Sequence, residues 1–171
     1  RMLVLKDNGG SDPIHKRGQL IPGIGIQALT TIPNSDPSKM SKKGDYKIDG
    51  YFDFVVPPLE GFWWQEGIKG VDYANKDSFN FISLIRMPDF VTKEVFEWAI
   101  EETTRKKKKD FSKVEFFTYD EGLCVQCMHI GSYNDEPITV EAMHEYMIEQ
   151  GYELDITDER FHHEVYISDV R

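Results

Sequence analysis

The sequence predicts an α+β fold, in which an antiparallel sheet carries its helices on one face. Three observations lead to this prediction. Short segments that alternate apolar and polar residues, a pattern typical of half-buried strands, recur along the chain and are clearest from Asn80 onward. Two segments with helical spacing and N-terminal capping residues lie between them. One strand pair is joined by a tight turn and the others by helical connections, which favours a sheet with its helices on one side.

The predicted elements follow in chain order. A strand at 2–5 precedes a stretch, residues 7–44, that holds too many glycines and prolines for a helix of any length. A strand pair at 46–56 and 59–65 is broken by two prolines, which cannot donate to a sheet ladder. The better defined elements are a strand at 79–86, a helix capped by Thr92 and ending in the basic run 105–109, strands at 113–119 and 122–130 around a turn at 120–122, a helix capped by Thr139 and stopped by Gly151, and a strand at 161–168.

Length and charge limit the classes of function. We expect the 171 residues to form a single domain, because 40% hydrophobic content supplies a core for a chain of this length. Thirty acids against 20 bases give a net charge of -10, which repels phosphate backbones and anionic membranes. We therefore expect neither nucleic-acid nor membrane binding, and the run 105–109 is interpreted as a solvated helix end. With no signal-peptide pattern, a cytoplasmic protein is expected, and a homodimer is compatible with the sequence.

The two cysteines, Cys124 and Cys127, have a spacing that indicates redox or zinc chemistry when it occurs in a turn. Here they fall in the predicted strand 122–130. Residues three apart in a strand point to opposite faces and cannot close on one ion. We therefore expect buried thiols that pack as small hydrophobic groups, and no metal or cofactor.

Aromatic and acidic side chains on the predicted strands indicate a groove for a flat organic ligand. Trp63 and Trp64 are neighbours on one strand, so only one of them can face the ligand. The sequence does not decide which one, and packing of both in the core is the alternative. The full set of predicted lining residues is Tyr51, Phe54, Glu60, Trp63, Trp64, Phe117, Tyr119, Met128, His162 and Tyr166.

Two residues are candidates for catalysis. Glu164 shares a strand face with His162 and Tyr166, where aromatic walls would desolvate its carboxylate and suit it to proton transfer. A surface glutamate paired with a lysine is the alternative interpretation. Tyr133 follows a strand end and could donate its phenol to a ligand carbonyl, although a loop residue that only shields the sheet edge would look the same.

Four segments carry a resemblance to a known family. They are KMSKK at 39–43, GYFDFVVPPLEGFWW at 50–64, HIGSY at 129–133 and HEVYIS at 163–168. Together they resemble the stand-alone GyrI-like small-molecule-binding proteins over roughly three quarters of the chain. Residues 1–44 match poorly, since relatives usually carry a helix where this chain has its Gly/Pro-rich stretch, and their short basic tail is missing after Arg171.

The resemblance implies a pseudo-twofold pair of strand-helix-strand-strand units whose joined sheets form a groove for hydrophobic drugs. It places the family's central groove glutamate at Glu164. Some stand-alone relatives are implied to hydrolyse the strained cyclopropane of DNA-alkylating antibiotics, without metal or cofactor. Relatives fused to DNA-binding domains only sense ligands, so a non-catalytic domain that sequesters drugs or signals to a partner protein is the alternative. An interaction module, whose groove accepts a protein segment, is a further one.

Overall fold

The computed structural model describes residues 2–5, 47–111, 114–157 and 159–167. Among them, five strands form one sheet in the order β4-β1-β3-β2-β5, and each strand pair with a described register is antiparallel. The α+β prediction is confirmed. The elements are β1 (Met2–Leu5), β2 (Leu59–Gln65), β3 (Phe79–Arg86), α1 (Lys93–Lys107), β4 (Val114–Phe117), α2 (Glu136–Glu149) and β5 (His162–Tyr166), with short 3-10 turns at Lys76–Ser78 and Tyr133–Asp135.

Helix α1 begins and ends as its sequence predicts. Thr92 is the N-cap, and its hydroxyl accepts a hydrogen bond from the backbone N–H of Val95 at 3.4 Å. The basic residues of the last turn suit the negative end of the helix dipole. The helix ends at Lys108, whose left-handed backbone (φ 53°) lets its N–H bond to the Thr104 carbonyl.

The hydrophobic core forms where α1 packs on the sheet. Phe96 of α1 stacks on Phe116 of β4 with ring centroids 5.6 Å apart. Burial of such side chains contributes about 1.5–3 kcal/mol each. The buried members of the core cluster are Ile85, Met87, Phe90, Val91, Val95, Phe96, Ala99, Phe111 and Val114, and Leu59 of β2 packs against them.

The contacts divide the chain into two compact units. Of the described residues, the first unit holds 2–5, 47–62, 81–111, 114–119 and 163–167, and so contains most of the sheet together with α1. The second unit holds 63–80, 120–157 and 159–162, and contains α2. The expectation that all 171 residues form one domain stays a prediction.

The predicted strand at 122–130 is wrong. Residues 118–132 have no helix or strand, although the predicted turn does form, with the Gly122 N–H bonded to Asp120 Oδ1 at 3.0 Å. Side-chain hydrogen bonds hold the segment in place of a strand ladder. Arg160 Nη2 donates to the Glu121 carbonyl at 3.0 Å, and His129 bonds to Thr139. Cys124 and Cys127 are therefore exposed, which corrects the expectation that both thiols are buried.

Two boundaries also differ from the prediction. Residues 47–58 form no strand, because Pro57 and Pro58 lack ladder donors, while Phe54 and Val56 pack their side chains against the core instead. Helix α2 begins at Glu136 rather than after Thr139, since a proline fits the first turn, where an N–H is not needed. Its predicted stop is confirmed by Gly151, which has a φ of +79°.

Candidate functional site

A carboxylate and an imidazole meet between two neighbouring strands of the first unit. His163 Nε2 of β5 lies 2.9 Å from Glu60 Oε2 of β2. Both side chains are largely buried, with exposed fractions of 16% for His163 and 10% for Glu60. An ionised carboxylate only accepts hydrogen bonds, so the tautomer of His163 that can donate to it is the one with a proton on Nε2. The bond fixes the His163 ring and ties the edge strand β5 to the sheet.

Aromatic rings surround this pair. Phe62 is fully buried and shares a face of β2 with Glu60, because alternate residues of a strand point the same way. The His163 ring meets the Phe62 ring nearly edge-on, with centroids 4.8 Å apart. Tyr119 packs on the other side of Phe62 at 4.7 Å. Of the predicted lining residues, Glu60 and Tyr119 thus lie in one cluster, which we call the Glu60–His163 cluster (Glu60, Phe62, Tyr119 and His163).

Glu164 lies on the other face of the sheet from this cluster. Its side chain is half-buried, as is that of Tyr166. Strand alternation places Glu164 opposite His163, and therefore on the same face as Leu59, which packs against the α1 core. The pairing of His163 with Glu60 fixes the alternation of β5, and with it the face of the sheet on which Glu164 lies.

An aromatic cluster caps the end of β3 in the first unit. Tyr51, Phe52 and Phe54 surround Phe90 with ring centroids 5.1 to 5.7 Å away. Beside it is an open depression of about 480 Å³, lined by Asp49, Gly50, Phe52, Arg86, Met87, Pro88, Asp89 and Phe90. The depression is wide enough for a small organic molecule, since ligand pockets measure roughly 300–1,000 Å³.

The two tryptophans of β2 belong to the second unit, and both are half-buried. Trp63 meets Phe79 edge-on at 6.0 Å, and Trp64 packs on Phe161 at 5.0 Å. They therefore contact different aromatic partners, as residues on opposite strand faces must. Which one faces a ligand is still an open prediction.

The end of β2 is held by Gln65, which is 1% exposed. Its Nε2 donates to the carbonyls of Asp72 and Asn75, both at 3.1 Å, and lies 2.7 Å from Ser78 Oγ. Its Oε1 accepts from the Asp72 N–H at 2.7 Å. One amide thus organises the loop that connects β2 to β3, and so orients the strand that carries the tryptophans.

The remaining predicted residues of the second unit differ in exposure. His162 Nε2 lies 3.5 Å from Glu136 Oε1 of α2, and both side chains are mostly buried. Tyr133, in the 3-10 turn before α2, is 63% exposed, and Met128 is 62% exposed. His129, which was not predicted, bonds to Thr139 Oγ1 at 2.8 Å and to the Ser132 carbonyl at 3.0 Å. The side chain of Phe117 lies outside the described side chains.

Sequence reasoning missed His163 and Phe62. Alternation along β5 puts His163 on the strand face opposite Glu164. The signal that could have found the pair is Glu60, which lies between Leu59 and Gly61 on an apolar strand. A buried carboxylate needs a polar partner, and a histidine on another strand can supply it.

Comparison with known proteins decides the family. The model of the GyrI-like small molecule binding domain matches residues 24–171. The chain belongs to the GyrI-like family. Among curated proteins no match was found. Among the described residues of this GyrI-like chain, neither helix is long and apolar enough to cross a membrane.

Several solved structures from Listeria innocua are similar to this GyrI-like chain. An uncharacterized conserved protein is 43% identical with a TM-score of 0.78, and the match covers 99% of this chain and 78% of that one. A protein described as a hydrolase is 40% identical with a TM-score of 0.75, over 99% and 78% of the two chains. A further chain described as a hydrolase is 42% identical with a TM-score of 0.75, over 98% and 78%.

Proposed function

We propose that this GyrI-like chain binds a flat, mostly apolar small molecule and opens an electrophilic cyclopropane ring on it by hydrolysis. The observation that carries the proposal is the position of Glu164. Its carboxylate is half-buried, and the residue directly before it, His163, has its side chain fixed by Glu60. Because His163 is bonded to Glu60, the backbone of β5 is held next to Glu164. A catalytic group on a rigid strand keeps its geometry better than one on a loop.

The charge and the aromatic residues support the choice of ligand. A net charge of -10 disfavours anions and leaves neutral or cationic molecules. The half-buried ring of Tyr166 offers a flat apolar surface on β5, on the same strand face as Glu164. Aromatic walls with a few polar groups are typical of small-molecule pockets.

The proposed reaction is attack of water on a ring carbon of a cyclopropane conjugated to a dienone. The carbon–oxygen bond forms as the strained carbon–carbon bond breaks, and its electron pair moves through the dienone to the carbonyl oxygen. Glu164 accepts the proton that water loses, and the oxygen takes up a proton to give a phenol beside the ring-opened alcohol. The two similar proteins described as hydrolases support a hydrolytic reaction.

Tyr133 has a separate proposed role. Its exposed phenol would donate a hydrogen bond to the ligand's carbonyl oxygen, on which negative charge develops. Replacement Tyr133→Phe should lower turnover by about 100-fold without loss of folding. Unchanged turnover would remove Tyr133 from the reaction and leave the role of Glu164 standing.

The test compares two variants with a compound that carries a cyclopropane conjugated to a dienone. The wild-type chain should release many equivalents of ring-opened alcohol, while Glu164→Gln should lower turnover by at least about 100-fold and still bind the compound. Glu141→Gln, on an exposed position of α2, is the matched control and should keep full turnover. Equal turnover in all three proteins would contradict the role of Glu164.

A non-catalytic binder or sensor is the second candidate, because the matched family is described by small-molecule binding rather than by a reaction. This function predicts stoichiometric binding of the same compound with no ring-opened product. Isothermal titration followed by product analysis separates the two functions in one sample.

A further inference from the structure

Helix α2 of the second unit has an exposed face that is both apolar and acidic. Val140 is 5% exposed and marks the buried side of the helix. The 3.6-residue turn defines the positions on the opposite side. They are Ile138, Ala142, Glu145, Tyr146 and Glu149, all of them exposed, and we call them the outer face of α2. The exposed fractions are 73% for Ile138 and 55% for Tyr146.

The apolar residues of the outer face form a ridge. Ile138, Ala142 and Tyr146 are four residues apart, and rows with this spacing are the ridges along which helices pack on one another. Ala142 is small and lies between two large side chains, so a side chain of a second helix can pack over it. A single exposed apolar residue is ordinary, but a row of them on one side of a helix is typical of an interaction site.

The acidic residues of the outer face are not neutralised. Glu145 and Glu149 are four residues apart, a spacing at which like charges destabilise a helix. Glu149 also ends the helix, where the dipole is negative, and the last turn holds no basic residue. Within the described part of the chain, neither carboxylate forms an ion pair. The outer face is therefore electrostatically unfavourable by itself, and a cation placed beside it would relieve the repulsion.

Helix α1 of the same chain is built differently. Its Glu102 lies 2.8 Å from Arg105 and 3.0 Å from Lys106. Its last turn is basic, as the helix dipole favours. The uncompensated acids are thus a particular property of α2 and not a general one of the chain.

The charge around α2 has the same sign as its outer face. Residues 120–162 hold 11 of the chain's 30 acidic residues but only one of its 20 lysines and arginines, Arg160. Arg160 already pairs with Asp155, with Nε 3.0 Å from Oδ2. The rest of the chain, with 19 residues of each sign, is neutral, so this segment carries the whole net charge of -10.

We propose that the outer face of α2 binds a basic amphipathic helix of a partner protein. The apolar residues of the partner pack along Ile138, Ala142 and Tyr146, while its lysines and arginines pair with the two glutamates. Charge complementarity selects this partner, because the same field repels acidic helices, nucleic acids and a second copy of this chain. The proposal does not depend on the hydrolytic function, in which none of these residues takes part.

The experiment titrates three synthetic helical peptides into the full chain by calorimetry. A peptide with a ridge of leucines flanked by lysines should bind, and its Kd should rise between low and high salt as the charges are screened. The same peptide with glutamate in place of lysine should not bind. A scrambled peptide of the same composition has no ridge and should bind at least about 10-fold more weakly.

Two variants test the two parts of the outer face. Tyr146→Ser removes apolar contact and should weaken binding of the lysine peptide at least about 10-fold. Glu145→Lys should weaken it as much, yet raise the melting temperature, because an attractive pair replaces the like-charge pair with Glu149. Weak binding by a more stable protein cannot be attributed to unfolding. Glu101→Lys, the same charge change at an exposed position of α1, is the control and should bind like the wild type.

Four results would overturn the proposal. The lysine peptide could fail to bind at low salt, or the scrambled peptide could bind equally well. Equal weakening by Glu145→Lys and Glu101→Lys would show attraction to the net charge alone, and unchanged binding by Tyr146→Ser would exclude the apolar ridge. Sedimentation of the chain without peptide provides the fourth, since a dimer that Tyr146→Ser dissociates would assign the outer face to a second copy.

Discussion

His163 Nε2 lies 2.9 Å from Glu60 Oε2, so the edge strand β5 is bonded through a side chain to a buried carboxylate on β2. The two residues are 103 positions apart in the chain. The bond therefore links a strand from the middle of the sequence with one near its end, beside the carboxylate to which we assign the chemistry.

Loss of either partner should destabilise the fold more than loss of both. Glu60→Leu or His163→Leu leaves one buried polar group without its partner, which costs about 1–3 kcal/mol of unfolding free energy. In the double variant no group is orphaned, so urea denaturation should show a coupling energy of about 0.5–3 kcal/mol. Glu66→Leu, just after β2 and exposed, is the control and should change stability by less than about 0.5 kcal/mol. Strict additivity of the two single losses would show that the pair contributes no coupling.

Only one tryptophan of β2 should respond to a bound planar dye. The chain has three tryptophans, and the third, Trp98 of α1, packs against the core. A flat ligand on one face of the sheet should quench the fluorescence of Trp63 or of Trp64, but not of both. The variants Trp63→Phe and Trp64→Phe, titrated with neutral and cationic dyes, should therefore differ, one losing the quenching and the other keeping it. Equal quenching in both variants would argue against a ligand face on β2.

Replacement of Gln65 by glutamate should unfold the loop that follows β2. A carboxylate cannot donate to the carbonyls of Asp72 and Asn75, so two acceptors lose their donor and a charge is buried beside them. We expect a loss of about 3 kcal/mol or more of unfolding free energy, measured by urea denaturation. The same change at exposed Gln126 should be nearly neutral. A stability of Gln65→Glu equal to that of the wild type would contradict the hydrogen-bond assignment.

Acid should remove a stabilising contribution at α1. Hydrogen bonds from Arg105 and then Lys106 lower the pKa of Glu102 from 4.5 to about 2. A pKa that is lower in the folded state stabilises the fold above the unfolded value, and this stabilisation is lost as pH falls from about 4.5 toward 2. The stability difference between wild type and Glu102→Gln should shrink over that range. Carboxyl NMR titration checks the cause directly, and a Glu102 pKa near 4.5 would contradict it.

Much of the fold could be predicted because its signals are local. The bounds of β2 and β3 follow from alternation and flanking prolines, and the start of α1 follows from the capping chemistry of Thr92. The segment 122–130 shows the limit of such signals. Its alternation is typical of a strand, but a strand also needs a ladder partner, and here Arg160 and His129 hold the segment instead.

The candidate site could be predicted only in part. Residue type and alternation singled out Glu60 and Glu164, because carboxylates among aromatic residues are unusual. They could not show that β5 lies next to β2, since strand order depends on contacts distant in sequence. Without that order His163 has no visible partner, and the role of Glu164 stays a prediction.

The position of β1 has a consequence for assembly of the sheet. Met2 lies opposite Arg86 on one side and Phe117 on the other, so four residues bridge β3 to β4. A fragment that begins after Leu5 would lack β1, so β3 and β4 would each have an unpaired edge, about one strand width apart. Unpaired edges of this kind can pair with strands of other chains. During synthesis, too, β1 cannot pair with β4 until the ribosome has made β4. The first strand of the sheet therefore completes its pairing only after most of the sheet has been synthesised.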